Sequence, residues 1–405
     1  MNILILGNGG REHALARKAK KSSLVQEVFV VPGNSGMDDC LIKENSFNSE
    51  DFKLLENFCD KNNIELIIVG NEKYLELGVV DYFSNTNIKI FGPTMESAKL
   101  ETSKDFAKSL MYKYNIPTAK YKTFIDEESA LEFLNSENMP VVIKQDGLAL
   151  GKGVLVSSDY KEAKNFIVES FKTNEKVIFE EFLDGVEFSL LCFVNGDTYI
   201  PLQTAKDYKR AFNNDKGLNT GGMGCFTPVD FISEDELSFC YEEIIEKTIS
   251  ALKNENIFFK GIMYAGLIKT NSGIKVIEFN VRFGDPETEV LMEAMETDLV
   301  EIILNILKNK KTKMEWKNGS TVGVCLASKG YPQKYNKGFE IKIPDTVDFY
   351  SMALKNEQGK FLNDGGRVMF VYASCENRTE ARTSVYKKIE SIKHDCLFYR
   401  TDIGK

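Results

Sequence analysis

Two histidines in 405 residues, His13 and His394, are too few for a histidine-built metal site. They also make imidazole acid–base chemistry a poor expectation. No CxxC pair occurs among the eight cysteines (40, 59, 192, 225, 240, 325, 375 and 396). Their scatter reads as buried free thiols in a reducing compartment. Long apolar runs are missing: a stretch such as Ile64–Val69 is far below the about 20 residues of a membrane span. The N-terminus has no basic region and no cleavage site, which excludes a signal peptide. Positive charge is in deficit, 51 Lys and Arg against 60 Asp and Glu, a net −9. That excludes bulk attraction to nucleic acid or an anionic membrane. Phosphate-bearing ligands must therefore be held by local structure. The expectation is a cytoplasmic protein with neither partner. No repeat, low-complexity tract or heptad seam is apparent, so a monomer is expected.

The length suggests two to four domains, and 43% hydrophobic residues is ordinary globular composition. Ile3–Leu6, Val28–Val31, Ile64–Val69 and Ile88–Phe91 read as strands. Helix-compatible stretches lie between them at Arg11–Lys21, Asp51–Asn62 and Tyr74–Phe83. This rhythm predicts a doubly wound parallel sheet over residues 1–102. Thr94–Lys113 reads as a helix leading onward. Paired strands and Gly-rich loops then fill 103–300, with Asn195-Gly196 as a hairpin signal. The helix Asp298–Leu307 ends in a solvated Lys308-Asn309-Lys310-Lys311 run. A small C-terminal α/β unit follows, with strands at Thr321–Ala327 and Arg367–Ala373 and a helix near Thr379–Ile392. The fold class expected is α/β with α+β elements.

Three segments carry chemistry. Gly7-Asn8-Gly9-Gly10-Arg11-Glu12-His13-Ala14 follows a strand and opens a helix, where free N–H groups favour a phosphate. A dinucleotide site would need a third glycine and an acid ending the second strand. That strand runs instead into Pro32-Gly33-Asn34-Ser35-Gly36, so NAD is not expected. On its own this motif serves equally as a tight turn, and His13 reads as a packing residue. Lys144-Gln145-Asp146-Gly147-Leu148-Ala149-Leu150-Gly151-Lys152-Gly153-Val154 sets a lysine at a strand end before a Gly-rich turn. It lacks the Walker pattern, yet it suits a loop folded over a triphosphate. Glu180-Glu181-Phe182-Leu183-Asp184-Gly185-Val186-Glu187 can offer backbone groups to an adenine edge and a carboxylate to ribose. Most sharply, Val276–Glu287 alternates. Glu278, Asn280 and Arg282 share one strand face and Ile277, Phe279 and Val281 the other. Two hard oxygen ligands beside a guanidinium suit Mg²⁺ bridging phosphates.

Together with Phe91-Gly92-Pro93, Asn219–Gly224 and Tyr399–Gly404, these segments resemble the ATP-grasp carboxylate–amine ligases along essentially the whole chain. Within them the chain is similar to the phosphoribosylamine–glycine ligase (glycinamide ribonucleotide synthetase) family. The resemblance implies an N-terminal Rossmann-like domain, an ATP-grasp domain over 103–300 with a mobile lid at about 120–190, and a linker helix with C-terminal domain over 301–405. It implies ATP-dependent joining of glycine to 5-phosphoribosylamine through glycyl phosphate, the second step of de novo purine synthesis. Mg²⁺ or Mn²⁺ is the implied metal, held by Glu278 and Asn280. Lys104, Lys144, Glu180, Phe182, Glu187, Arg210 and Asn219 resemble the nucleotide contacts. Asp207 and Arg282 resemble the groups on glycine's ammonium and carboxylate, with Lys144 assisting phosphoryl transfer. Gly9 and Gly10 resemble the sugar-phosphate cradle. Two departures stand out: Gly70-Asn71-Glu72 for the usual Gly-Pro-Glu, and Asp207-Tyr208-Lys209-Arg210 for Asp-His-Lys-Arg. The rival readings are another ATP-grasp ligase and a non-catalytic nucleotide or sugar-phosphate sensor.

Overall fold

The computed structural model describes residues 1–37, 42–43, 47–147 and 153–405. Five parallel strands open the chain: β1 (Asn2–Gly7), β2 (Glu27–Pro32), β3 (Ile42–Lys43), β4 (Ile64–Val69) and β5 (Lys89–Phe91). Their order is β3-β2-β1-β4-β5, the doubly wound sheet expected. Ile3 to Leu6 are fully buried because both faces of a parallel sheet are covered. The order reverses between β1 and β4, so a crevice opens at their carboxyl ends. Two expected helices are divided. Tyr74–Phe83 becomes Glu72–Glu76 and Val79–Phe83, separated where Gly78 takes φ 82°. Thr94–Lys113 becomes Met95–Thr102 and Lys104–Lys113. Ser103 is extended between them, and its hydroxyl accepts the Phe106 N–H.

The next sheet is antiparallel, β6-β9-β7-β8, from β6 (Tyr121–Phe124), β7 (Val141–Gln145), β8 (Val154–Ser157) and β9 (Val177–Glu180). Helices Glu127–Ser136 and Tyr160–Ser170 close it around a separate core of Phe124, Leu134, Ile143, Ile167 and Phe179. The chain continues through β10 (Gly185–Asn195), β11 (Thr198–Pro201), β12 (Lys206–Asp207), β13 (Arg210–Phe212), β14 (Lys216–Asn219) and β15 (Gly224–Thr227). Then come β16 (Lys260–Thr270) and β17 (Gly273–Asn280). The facing sheet is β11-β10-β16-β17, and Asn195 pairs with Thr198 across the expected hairpin.

The simple alternation read along β17 is corrected by a bulge. Gly266 pairs with Glu278 and Leu267 with Val276, leaving Ile277 unpaired. Val276, Phe279 and Val281 therefore enter the core, while Ile277 turns half-exposed towards the opposing sheet.

The last strands are β18 (Ser320–Ser328), β19 (Glu340–Ile341), β20 (Phe349–Ser351), β21 (Leu354–Glu357), β22 (Lys360–Asn363), β23 (Arg367–Cys375) and β24 (Leu397–Phe398). β12 and β15 join β18, β20, β23 and β24 in one sheet, β12-β15-β18-β23-β20 with β24 on β18, while β19-β22-β21 form a sheet of their own. Sheet membership thus departs from chain order. The helix Glu287–Ala294, buried on almost every side, packs between the helix Gly10–Lys20 and β18. His13 is fully buried and accepts the Ser351 N–H at Nδ1, a packing role as expected. Asn34 in the Pro32–Gly36 loop donates to the Asn8 carbonyl and accepts from Ser351 Oγ, tying that loop to β20. Among the described residues no helix is long and apolar enough to cross a membrane. Cys40 lies outside the described residues, and the other seven cysteines are free, all but Cys375 buried.

Candidate active site

A cleft of about 990 Å³ opens where the crevice of the first sheet, the two facing sheets and the last sheet meet. Gly9, Lys104, Lys144, Glu180, Phe182, Glu187, Asp207, Arg210, Asn219, Glu278, Asn280 and Arg282 all line it. Gly10 does not, and a β-carbon there would collide with Glu289 and press on Met352. Leu148–Lys152 of the Gly-rich loop lie outside the described residues.

One wall is built on a shared carboxylate. β9 ends at Glu180, whose oxygens lie 2.9 Å from Lys144 Nζ and 2.8 Å from Lys108 Nζ. Burial pushes the Glu180 carboxyl up, but the two ammonium groups outweigh it and hold the carboxyl below its usual value. Lys144 also donates to the Ile277 carbonyl at 3.2 Å, so the bulged residue meets the lysine of the facing sheet. Lys104 donates to the Gly147 carbonyl at 2.7 Å, at the foot of the Gly-rich loop. Lys108 was not foreseen, although it stands one helical turn after Lys104 and on the same face.

Across the cleft stands the oxygen-donor strand. Burial pushes Glu278 up, yet Lys209, Lys144, Lys104 and Arg282 prevail and keep it below the ordinary carboxylate range. Asn280 is 8% exposed, and its Oδ1 accepts from Arg282 at 3.0 Å, leaving its second lone pair unassigned. Among the described residues no group of three His, Cys, Asp or Glu side chains is placed to hold a metal by itself. A pair of hard oxygens fits a cation completed by phosphate oxygens rather than an all-protein cage.

Arg282 is itself framed by carboxylates. Glu72 lies 3.4 Å from its Nε and Glu101 3.3 Å from its second terminal nitrogen. Glu101 also accepts the Val281 N–H at 2.7 Å. The Gly70-Asn71-Glu72 turn therefore keeps an acid facing Arg282. Glu12 fills the crevice between β1 and β4: its Oε2 accepts the Gly9 N–H at 2.7 Å and its Oε1 the Arg11 Nε–H at 2.6 Å.

A third wall is acidic. Burial pushes Asp207 up to about 7, with Lys209 opposing and Glu287, Glu187 and Glu278 adding to the rise. Glu287 accepts hydrogen bonds from Tyr264 and Ser189. Lys209 lies 2.9 Å from Glu187. The Tyr208 hydroxyl accepts the Gly404 N–H at 3.1 Å, so the residue standing for the usual histidine braces the C-terminus. Sequence reasoning also missed Arg367 of β23, which lines the cleft and pairs with Asp285 at 2.7 Å. No local pattern marks it, because only the sheet brings it there.

The sequence profiles of the three phosphoribosylglycinamide synthetase domains match in order: the N domain over 1–101, the ATP-grasp (A) domain over 102–288 and the C domain over 321–405. The chain belongs to the phosphoribosylglycinamide synthetase family. A phosphoribosylamine–glycine ligase from Lactococcus lactis is 44% identical over 408 residues, covering 100% of this chain and 99% of the relative. The crystal structure of a phosphoribosylamine–glycine ligase from Thermotoga maritima matches with TM-score 0.87 at 33% identity, covering 99% of this chain and 100% of that one. A biotin carboxylase domain from Hydrogenobacter thermophilus, at 14% identity and TM-score 0.73 over 98% of this chain and 91% of that one, shares the fold. The ATP-grasp family fold accounts for the two facing sheets with a cleft between them.

Proposed function

We propose that this ATP-dependent ligase joins glycine to 5-phosphoribosylamine, giving glycinamide ribonucleotide, ADP and phosphate, the second step of purine biosynthesis. The observation that carries the reading is the opposition, across one cleft, of Lys104 and Lys144 to Glu278 and Asn280. ATP would lie between the facing sheets, its phosphates against the two lysines and its base near Glu180 and Phe182. Glu187, Arg210 and Asn219 line the same cleft. Mg²⁺, or Mn²⁺ in its place, would be held by Glu278 and Asn280, and when bound it supplies charge neutralisation on the phosphates.

Glycine's carboxylate would be held by Arg282, whose guanidinium Glu72 and Glu101 fix in the cleft. Its ammonium suits the acidic wall, where a bound cation would return Asp207 to its charged form. Attack of the carboxylate on the γ-phosphate forms glycyl phosphate and releases ADP. The phosphoribosylamine nitrogen then attacks the carbonyl carbon, the carbon–oxygen bond to phosphate breaks, and phosphate leaves, taking up the proton that the nitrogen gives up. Gly9 offers close backbone approach for the sugar phosphate, and Arg367 supplies a nearby cation. No side-chain nucleophile is needed, because positioning and electrostatics carry the rate. The separate core of β6–β9 supports the segment 120–190 acting as a lid that excludes water. We infer a monomer that works in the cytoplasm, a reading that its small soluble substrates support.

The test is ADP release with ATP, Mg²⁺, glycine and freshly prepared phosphoribosylamine. Release that requires both co-substrates is expected. Glu278→Ala should abolish it while the circular dichroism spectrum is retained. Release with a different carboxylate–amine pair would favour another ligase of this fold, and near-normal Glu278→Ala activity would overturn the metal assignment.

A further inference from the structure

The final residues Tyr399–Gly404 do not line the cleft, yet they grip the hairpin β13–β14 that does. Arg400 is 1% exposed and forks onto Asp402, with Nε donating at 2.8 Å and a terminal nitrogen at 2.7 Å. Its other terminal nitrogen donates to the Arg210 carbonyl at 3.0 Å and to Asp215 Oδ1 at 2.8 Å. Asp402 accepts the Asn214 N–H at 2.8 Å. Thr401 and Asn213 exchange two hydrogen bonds, at 2.9 and 2.7 Å.

The tail is anchored from behind. Tyr386 donates to the Arg400 carbonyl and accepts the Ile403 N–H, while Arg382 donates to the Thr401 and Ile403 carbonyls. The hairpin needs such support. Among the described residues it pairs with no further strand, and a lone two-stranded ribbon is marginal. At its tip Asn214 (φ 57°) and Asp215 (φ 50°) are both left-handed, a conformation that Asn and Asp accept more readily than other non-glycine residues. The tail meets those two residues directly.

We propose that the C-terminal segment 399–404 is a clamp that positions the nucleotide-contacting hairpin, with Arg400 as its positioning residue. The proposal rests on the reading of Arg210 and Asn219 as ATP contacts. It makes the last residues of the chain, which stand behind the cleft wall without lining it, a determinant of ATP affinity and not of glycine affinity.

The experiment compares Asn213→Ala, Thr401→Ala, Arg400→Lys and Arg400→Ala in the full-length enzyme, with Arg210→Ala and Asn219→Ala as reference variants. KM for ATP, KM for glycine, kcat and amide exchange over 210–219 are measured. Expected are about threefold higher KM for ATP in the two surface variants and about tenfold in Arg400→Ala, with Arg400→Lys between, and KM for glycine within about twofold. Amides of the hairpin should exchange faster in step. Should Arg400→Ala not fold, the exposed Asn213 and Thr401 variants decide. If the reference variants raise KM for ATP but folded tail variants leave it and the exchange unchanged, the clamp is overturned alone. If the reference variants also leave KM for ATP unchanged, the nucleotide reading of the hairpin falls and the proposal falls with it. Equal weakening of ATP and glycine would mark general loosening and would likewise overturn it.

Discussion

Replacing Lys108 by methionine removes one of the two ammonium groups that share Glu180 while keeping the volume of the side chain. Burial pushes the Lys108 ammonium down to about 8, from an ordinary 10.5, and nearby Lys144 adds to the fall. The attraction of Glu180 offsets this only in part. That drop corresponds to about 3 kcal/mol. A lysine lowered on folding is penalised while protonated. Between about pH 8 and 10.5 the unfolded chain binds more protons than the folded one, so this group makes stability rise with pH. Lys108→Met lacks the titration. The stability difference, wild type minus variant, should therefore grow by about 3 kcal/mol from pH 7 to about 10.5, with most of the change above about pH 8. Denaturant midpoints of both proteins, measured side by side at several pH values and followed by circular dichroism, isolate the term because titrating groups away from Lys108 cancel. A difference that stays flat across this window would refute the assignment of a strained ammonium to Lys108. A difference that shrinks would show that Glu180 more than compensates its burial.

Two further outcomes follow from the crevice and the wall behind it. A methyl group on Gly70 would collide with the Glu12 carboxylate, which accepts from Gly9 and Arg11. Displacing it disturbs two charge-assisted hydrogen bonds, so Gly70→Ala should lose about 3 kcal/mol in chemical denaturation. It should also raise KM for phosphoribosylamine more than KM for ATP; wild-type stability would refute the packing argument. Glu289 is fully buried, and among the described residues neither of its oxygens has a hydrogen-bond partner. Burial, with Asp285 beside it, holds its carboxyl well above the usual range. Its ionisation is therefore suppressed on folding, and stability falls as pH rises above about 4.5 towards the folded value. Glu289→Gln should be more stable than wild type at neutral pH and lose that advantage near pH 4.5. Equal pH profiles of the thermal midpoints would refute this.

Much of the fold was legible because its signals are local. Apolar runs mark strands covered on both faces: Ile3–Leu6 and Leu66–Val69 lie in the parallel sheet. Interruptions were harder to read. Ser103 and Gly78 divide helices whose apolar periodicity runs on past them, because capping and a left-handed glycine act on single residues. The bulge at Ile277 was invisible for a similar reason: it depends on the register with β16 and not on β17 alone. In the site, the Lys144 and Glu278 segments could be read because each concentrates its chemistry in a few residues. Lys108 carried a faint signal, its spacing from Lys104. Arg367 carried none.

By itself, the amino-acid sequence determined most element types, the glycine-rich turns and the strand carrying hard oxygen donors, since these follow from side-chain chemistry at short spacing. In an acidic chain with two histidines, the proposed function leaves phosphates to backbone, a few cations and positioning. Only the tertiary structure decided which charges meet. Glu180 shared by two lysines, Arg282 framed by Glu72 and Glu101, and Arg400 gripping a hairpin some 190 residues earlier are contacts between distant segments. Their energies depend on burial and on distances of a few ångströms, and both exist only once the sheets have assembled.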